Sequence, residues 1–146
     1  MSESTTTTKP GYTKPLPDLR PEGERFWAAC REHRLILPAD SAGKPFWYPR
    51  ALTPGTLEPV QWIDAAGTGS VYTYSVHFIG PSKAYKGDPP HIVALIDLDE
   101  GVRMMSRVLG APEAVRIGQR VRARIVVKEG RGVVVFDATA GQGEQA

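Results

Sequence analysis

The sequence predicts a mainly β protein: a short N-terminal helix, an extended Pro-rich segment, and a five-stranded closed barrel. Three observations carry that expectation. Apolar residues recur at helical spacing between residues 21 and 34. Five prolines and two glycines then punctuate residues 38 to 59, which excludes helix there. From residue 69 onward, β-branched and aromatic residues fill five short runs separated by turn signals.

In "RPEGERFWAACREHRL", Phe26, Trp27, Cys30 and Arg34 fall within two turns of one another, with Arg25, Glu32 and His33 turned away. Pro21 suits the first turn of such a helix and Asp18 is a candidate cap. Residues 38 to 59 are extended chain and turns. The strands follow as "GSVYTYSVHFIG" (69 to 80), "HIVALIDLDEG" (91 to 101), "VRMMSRVLG" (102 to 110), "QRVRARIVVKE" (119 to 129) and "GVVVFDATA" (132 to 140). Between the third and fourth, "APEAVRIG" reads as one helical or 3₁₀ turn. This order suits a small closed barrel of the OB type, with a five-stranded sandwich as the alternative. The chain divides into a polar Thr- and Pro-rich arm read as disordered (1–20), a helix and Pro-rich module (21–62), the barrel (63–140) and a tail (141–146).

The 146 residues are 41% apolar and 23% charged, so one domain can bury a real core, and no apolar run approaches membrane-spanning length. The N-terminus has no apolar stretch of the secretory kind, which makes cytoplasm the default location. A single cysteine, Cys30, excludes an internal disulfide and any metal site with more than one thiolate from this chain. His33, His77 and His91 are too scattered to suggest a metal cluster. A net charge of +2 gives no argument for nucleic acid by itself.

The catalytic inventory is thin. There is no nucleophile elbow and no Gly-rich phosphate loop, so no catalytic residue is assigned; His77 or His91 is the one plausible acid or base. They flank "GPSKAYKGDPPH", a connection without periodicity and long enough to be functional. His77, Lys83, Tyr85, Lys86 and His91 are therefore candidates for lining a ligand site or channel. Arg120, Arg122 and Arg124 share one face of the fourth strand, opposite Val121, Ala123, Ile125 and Val127, which are read as core. The arginines are either a solvated barrel exterior or phosphate contacts. Tyr72, Tyr74, Val76 and Phe78 repeat at period two and are expected inside the barrel; exposed near Arg103 and Arg107, they would instead suit single-stranded nucleic acid.

The order of these parts resembles the zinc-ribbon-plus-OB-fold family of acyl-CoA-associated proteins, a domain of unknown function encoded beside thiolase-like and MaoC-like enzymes. "FWAACREHRLIL" resembles the family's N-terminal segment and "FWYPR" (46 to 50) the link between two zinc knuckles. "GTGSVYTYSVHF", "PPHIVALIDLDEGVRMMSRVLG" and "VRIGQRVRARI" resemble successive barrel strands. The resemblance runs from about Pro21 to Ala138. It departs at the knuckles, where the family's cysteines are replaced by Ala39, Ala42, Thr53 and Thr56, so the ribbon is expected to be degenerate and to bind no zinc.

The resemblance implies a non-catalytic accessory subunit of a thiolase-like or MaoC-like hydratase enzyme, acting on acyl-CoA or related β-keto substrates and shaping the substrate channel. Phe26, Trp27, Phe46, Trp47, Tyr48 and Arg50 would dock on that enzyme. A coenzyme A thioester would be a ligand of the complex, and this chain would bind no cofactor of its own. The alternatives are an OB module for single-stranded nucleic acid and a free-standing acyl-CoA-binding homodimer.

Overall fold

The computed structural model describes Lys14, Pro15 and residues 17–139. Most of the expected 1–20 arm and the whole 141–146 tail lie outside the described residues. A 3₁₀ turn, Pro21–Gly23, leads into the helix α1, Glu24–Arg31. Phe26, Ala29 and Cys30 form its buried face, at the spacing one side of a helix requires. Asp18 does not cap it: the chain enters through Arg20 and Gly23 without a side-chain cap, and Asp18 lies 3.9 Å from Arg20 as an exposed ion pair. The helix also ends before Arg34. His33 takes a left-handed conformation (φ 59°) and Arg34 N–H bonds back to Ala29 O at 2.9 Å, which turns the chain toward the first strand.

β1 (Ile36–Ala39) and β2 (Gln61–Asp64) pair antiparallel as a two-stranded sheet, with Leu37 opposite Ile63. The expected boundary at 62/63 falls inside β2. Beyond it β3 (Thr68–His77), β4 (His91–Leu98), β5 (Arg103–Leu109), β6 (Arg120–Lys128) and β7 (Arg131–Ala138) close a barrel in the order β3-β4-β5-β7-β6. All neighbours are antiparallel except β5 and β7. A 3₁₀ turn, Pro112–Ala114, joins β5 to β6, as expected of an OB barrel. The β6–β7 turn places Glu129 (φ 51°) and Gly130 (φ 73°) in succession, the left-handed pair that a two-residue hairpin needs.

One core runs through the whole described chain. Val71, Ile92, Ile96, Val108, Val121 and Phe136 fill the barrel at 0–2% exposure, and Phe26, Cys30, Leu35 and Leu37 continue the same cluster under the helix and β1. Each such side chain removed from water contributes roughly 1.5–3 kcal/mol, which is why the Pro-rich module packs as part of the barrel's core.

The inward set on β3 differs from the expected one. Register shifts between Val71 and Thr73, a bulge that inserts one extra residue and exchanges the faces. Gly69 and Val71 point inward before it and Tyr74 and Val76 after it, while Tyr72 is 50% and Phe78 75% exposed. On β6, Val121 is buried, Ala123 and Ile125 are half-buried, and Val127 is 39% exposed because the strand outruns the barrel there.

Candidate functional site

The Pro-rich module consists of two turns held side by side between β1 and β2. In the first, Asp40 N–H donates to Lys44 O and Gly43 N–H to Asp40 O, both at 2.9 Å, with Gly43 at φ 81°. The Asp40 carboxylate then accepts from the Ala42 and Lys44 amides at 3.0 and 2.8 Å, so one side chain organises the loop from its centre. In the second, Thr53 N–H donates to Glu58 O (2.8 Å) and Leu57 N–H to Thr53 O (2.9 Å), with Gly55 at φ 91°. Ser41 Oγ donates to Glu58 Oε2 at 2.9 Å and joins the two turns.

The donor chemistry here does not fit a resident metal. Ala39 and Ala42 carry no ligating atom, Thr56 Oγ1 accepts from Glu58 N–H at 3.4 Å, and Thr53 Oγ1 is a buried neutral hydroxyl without a partner among the described residues. Among the described residues no three His, Cys, Asp or Glu side chains gather as a metal site.

Four of the six expected docking residues form or flank one aromatic stack. Phe26 meets Trp27 edge-on at 5.1 Å and Trp47 at 5.3 Å, and Trp47 meets Tyr48 at 5.3 Å. Phe26 is 5% exposed and supports this stack from within, so its ring offers no surface to a partner. Trp27, Phe46 and Trp47 are half-buried, while Tyr48, at 53%, and Arg50 face outward.

At the opposite end of β3, strand register sets His77 directly beside His91, and their rings stack at 5.1 Å. Burial first, then the charges of Arg107 and His77, hold the His91 imidazole below its ordinary pKa. Ser75 Oγ lies 2.8 Å from His77 Nε2, the distance of a nucleophile and its base. Both residues are exposed on the outer strand face, and among the described residues no carboxylate orients the ring. From the loop between β3 and β4, Asp88 pairs with Lys14 at 2.5 Å, and Lys14 lies over the Tyr85 ring at 5.2 Å. Lys83 and Tyr85 belong to a 3₁₀ turn there, and Lys83 and Lys86 are exposed. The structure therefore brings His77 and His91 together at the root of the loop.

The arginine stripe of β6 is largely engaged within the chain. Arg120 grips Asp99 with both terminal nitrogens (2.8 and 2.7 Å) and Arg124 pairs with Asp137 at 2.7 Å, which leaves Arg122 without an ion pair among the described residues. On β5, the Arg103 guanidinium carbon stands 3.4 Å from the Tyr72 ring centroid while its nitrogens hold Asp97 at 2.6 and 3.2 Å. One face of Tyr72 is thus already covered, and a base could stack only on the other.

Residues 62–126 match the family model described as ChsH2, C-terminal OB-fold domain. A DUF35 domain-containing scaffold protein of Methanothermobacter thermautotrophicus is 31% identical over 101 residues, covering 64% of this chain and 73% of that protein. The chain belongs to the DUF35 family. It is also similar to the 3-oxo-4,17-pregnadiene-20-carboxyl-CoA hydratase alpha subunit of Mycobacterium tuberculosis, 31% identical over 114 residues and 74% of this chain. The chain spans a little over a third, 37% and 36%, of the length of the two hydratase alpha subunits it matches. Among solved structures, a chain of "Ltp2-ChsH2(DUF35) aldolase" superposes with a TM-score of 0.74 at 27% identity, covering 84% of this chain and 98% of that one.

Several features of this DUF35 chain escaped the reading of its sequence. Asp40 and the Ser41–Glu58 link hold the two turns of the Pro-rich module together, and the Asp-Ser-Ala-Gly spacing, an Asp two residues before a small residue and three before a Gly, was the signal of the first. Leu52 (46%), Leu57 (70%) and Ile79 (86%) are exposed apolar residues beside the expected Tyr48 and His77 positions. Ile79, ahead of Gly80-Pro81, and Leu57, just after Pro54-Gly55, stand where a turn signal marks an exposed tip.

Proposed function

We propose that the chain is a non-catalytic accessory subunit of an enzyme complex acting on acyl-CoA or related β-keto substrates, with a thiolase-like or MaoC-like hydratase enzyme as its partner. The observation that carries this reading is the superposition over nearly the whole of a chain of "Ltp2-ChsH2(DUF35) aldolase". The hydratase alpha subunits point the same way. The surface agrees: Tyr48, Leu52 and Leu57 on the Pro-rich module and Phe78 and Ile79 at the barrel loop are large apolar side chains without cover in the single chain.

The chemistry of the chain supports a division of labour in which the partner carries the reaction. Cys30 is fully buried and its thiol is pushed up to about 11 by burial, which leaves no thiolate to attack a thioester. The Ser75–His77 pair lies on the exposed outer face of β3, and among the described residues no carboxylate orients its ring. In this reading the 36–64 module is a ribbon retained without its metal, docking through Tyr48 and its half-buried aromatic neighbours, while the 78–90 loop borders the channel.

Mass spectrometry of what co-purifies with the native chain tests the proposal. A thiolase-like or hydratase chain in stoichiometric amount is expected. Turnover of an acyl-CoA by the isolated chain would overturn it, and one equivalent of zinc in the purified protein would overturn the metal-free ribbon.

A further inference from the structure

The barrel has a break in its hydrogen bonding. β3 pairs with β6 only from Thr68↔Arg122 to Ser70↔Arg120, and the last backbone link on that side is Ala123 N–H to Gly67 O at 2.6 Å. β6 runs on to Lys128, paired with β7 alone. Bonding direction alternates along a strand: Arg120 turns toward β7, where its carbonyl accepts from Thr139 N–H, and Ala123 turns away. By the same alternation the N–H and C=O groups of Ile125 and Val127 point away from β7, and none of the four has a backbone or side-chain partner among the described residues.

Three consecutive apolar residues interrupt the charges of this edge. Val126 and Val127 are 44% and 39% exposed, and Ile125 is half-buried. A cleft of about 230 Å³ runs beside it, with Ala123 and Ile125 on one wall and residues 33–35 and 64–67 on the other. Two donors and two acceptors at alternate residues, beside an open cleft, form a seat for one more extended strand.

Charge selects the occupant. Arg122 and Lys128 flank the edge without an ion pair among the described residues, Arg124 is neutralised by Asp137, and Glu129 is the one acid at the turn. A second copy fits poorly: the symmetric antiparallel register that uses all four groups on both chains sets Val126 against its own copy and brings Arg124, not an acid, to Lys128. We infer that the free edge of β6 at Ile125 and Val127 receives an extended segment of the partner enzyme, in which acidic residues alternate with apolar ones. The acids would lie beside Arg122 and Lys128 and the apolar residues beside Ile125 and Val127. The source of the segment rests on the accessory-subunit reading; the edge and its charge preference do not.

The test uses the full chain and two defined probes, acetyl-Glu-Val-Glu-Val-Glu amide and its Lys-for-Glu counterpart, read by amide hydrogen exchange. The acidic peptide is expected to slow exchange at Ile125 and Val127 about tenfold, and the basic one to leave them unchanged. Val127→Pro removes an N–H that the chain itself does not use, so the β6–β7 ladder stays intact while the response is lost. The pair Arg122→Glu and Lys128→Glu keeps every backbone group and should reverse the preference between peptides. No protection at Ile125 and Val127, or equal protection by both peptides, overturns the inference. Protection that grows with protein concentration alone, with dimer mass, assigns the edge to a second copy and overturns it too. If wild type and Val127→Pro retain a co-purifying enzyme equally, the edge is not its seat and the accessory reading stands. If the peptides behave as expected and no enzyme co-purifies, that reading fails and the edge remains.

Discussion

Asp40 gives its carboxylate to two exposed backbone amides, and its loss trades two charge-assisted hydrogen bonds for bonds to water. Asp40→Ala is expected to destabilise the chain by about 1–2 kcal/mol and Asp40→Asn by clearly less, because the amide oxygen can still accept; urea midpoints at constant slope measure both. Asp99 belongs to the same scale. The Arg120 hydrogen bond, then that of Thr68, holds its carboxyl down at about 2. A group depressed in the fold adds stability above its unfolded pKa of about 4 and loses it as pH falls through the folded value. Asp99→Asn should therefore flatten the stability profile between about pH 4 and 2, seen in thermal melts across that window, and leave the slope near neutrality alone.

At the scale of elements, α1 rests directly on β7. A Cβ on Gly132 would lie 2.6 Å from Cys30 Cβ and 2.8 Å from its carbonyl carbon, so the helix rests where only a glycine leaves room. Gly132→Ala is expected to cost about 1–3 kcal/mol in urea unfolding and to expose the Cys30 thiol to faster alkylation. The elements themselves were legible in the sequence: the helical face of Phe26 and Cys30, the turn signals and the five apolar runs all have local causes. The bulge at Tyr72 was not. Its cause is the register β3 must keep with both β4 and β6, a relation between distant residues that period-two reading of one strand cannot contain. The helix end at His33 has the same character, since β1 fixes where the chain must turn.

On the scale of the whole molecule, closure of the barrel and its shared core with the Pro-rich module decide which predicted residues face outward. Phe26, Trp47 and Tyr48 were legible as an aromatic group, and they do meet; that Phe26 lies beneath and Tyr48 outside depends on how α1 and the module pack. Likewise the arginines of β6 were legible as a stripe, but Asp99, in the turn after β4, and Asp137, on β7, which occupy two of them, are brought there only by the fold. On the proposed docking reading, the exposed Tyr48 and Phe78 would be two points of contact with the enzyme. Replacing Tyr48 with Ser and, separately, Phe78 with Ser should each weaken retention of the enzyme tenfold or more without shifting the melting temperature by more than about 2 °C, checked by titration and by thermal melts.

The Asp40 turn has one more consequence. On the metal-free reading proposed above, a turn pair closed by a carboxylate, amides and a hydroxyl would have no thiolate ligand to lose and no ion for a chelator to strip. Such a chain should keep its shape unchanged in EDTA, checked by thermal melts, and in cells starved of trace metals it would go on folding where a cysteine-built counterpart would fail.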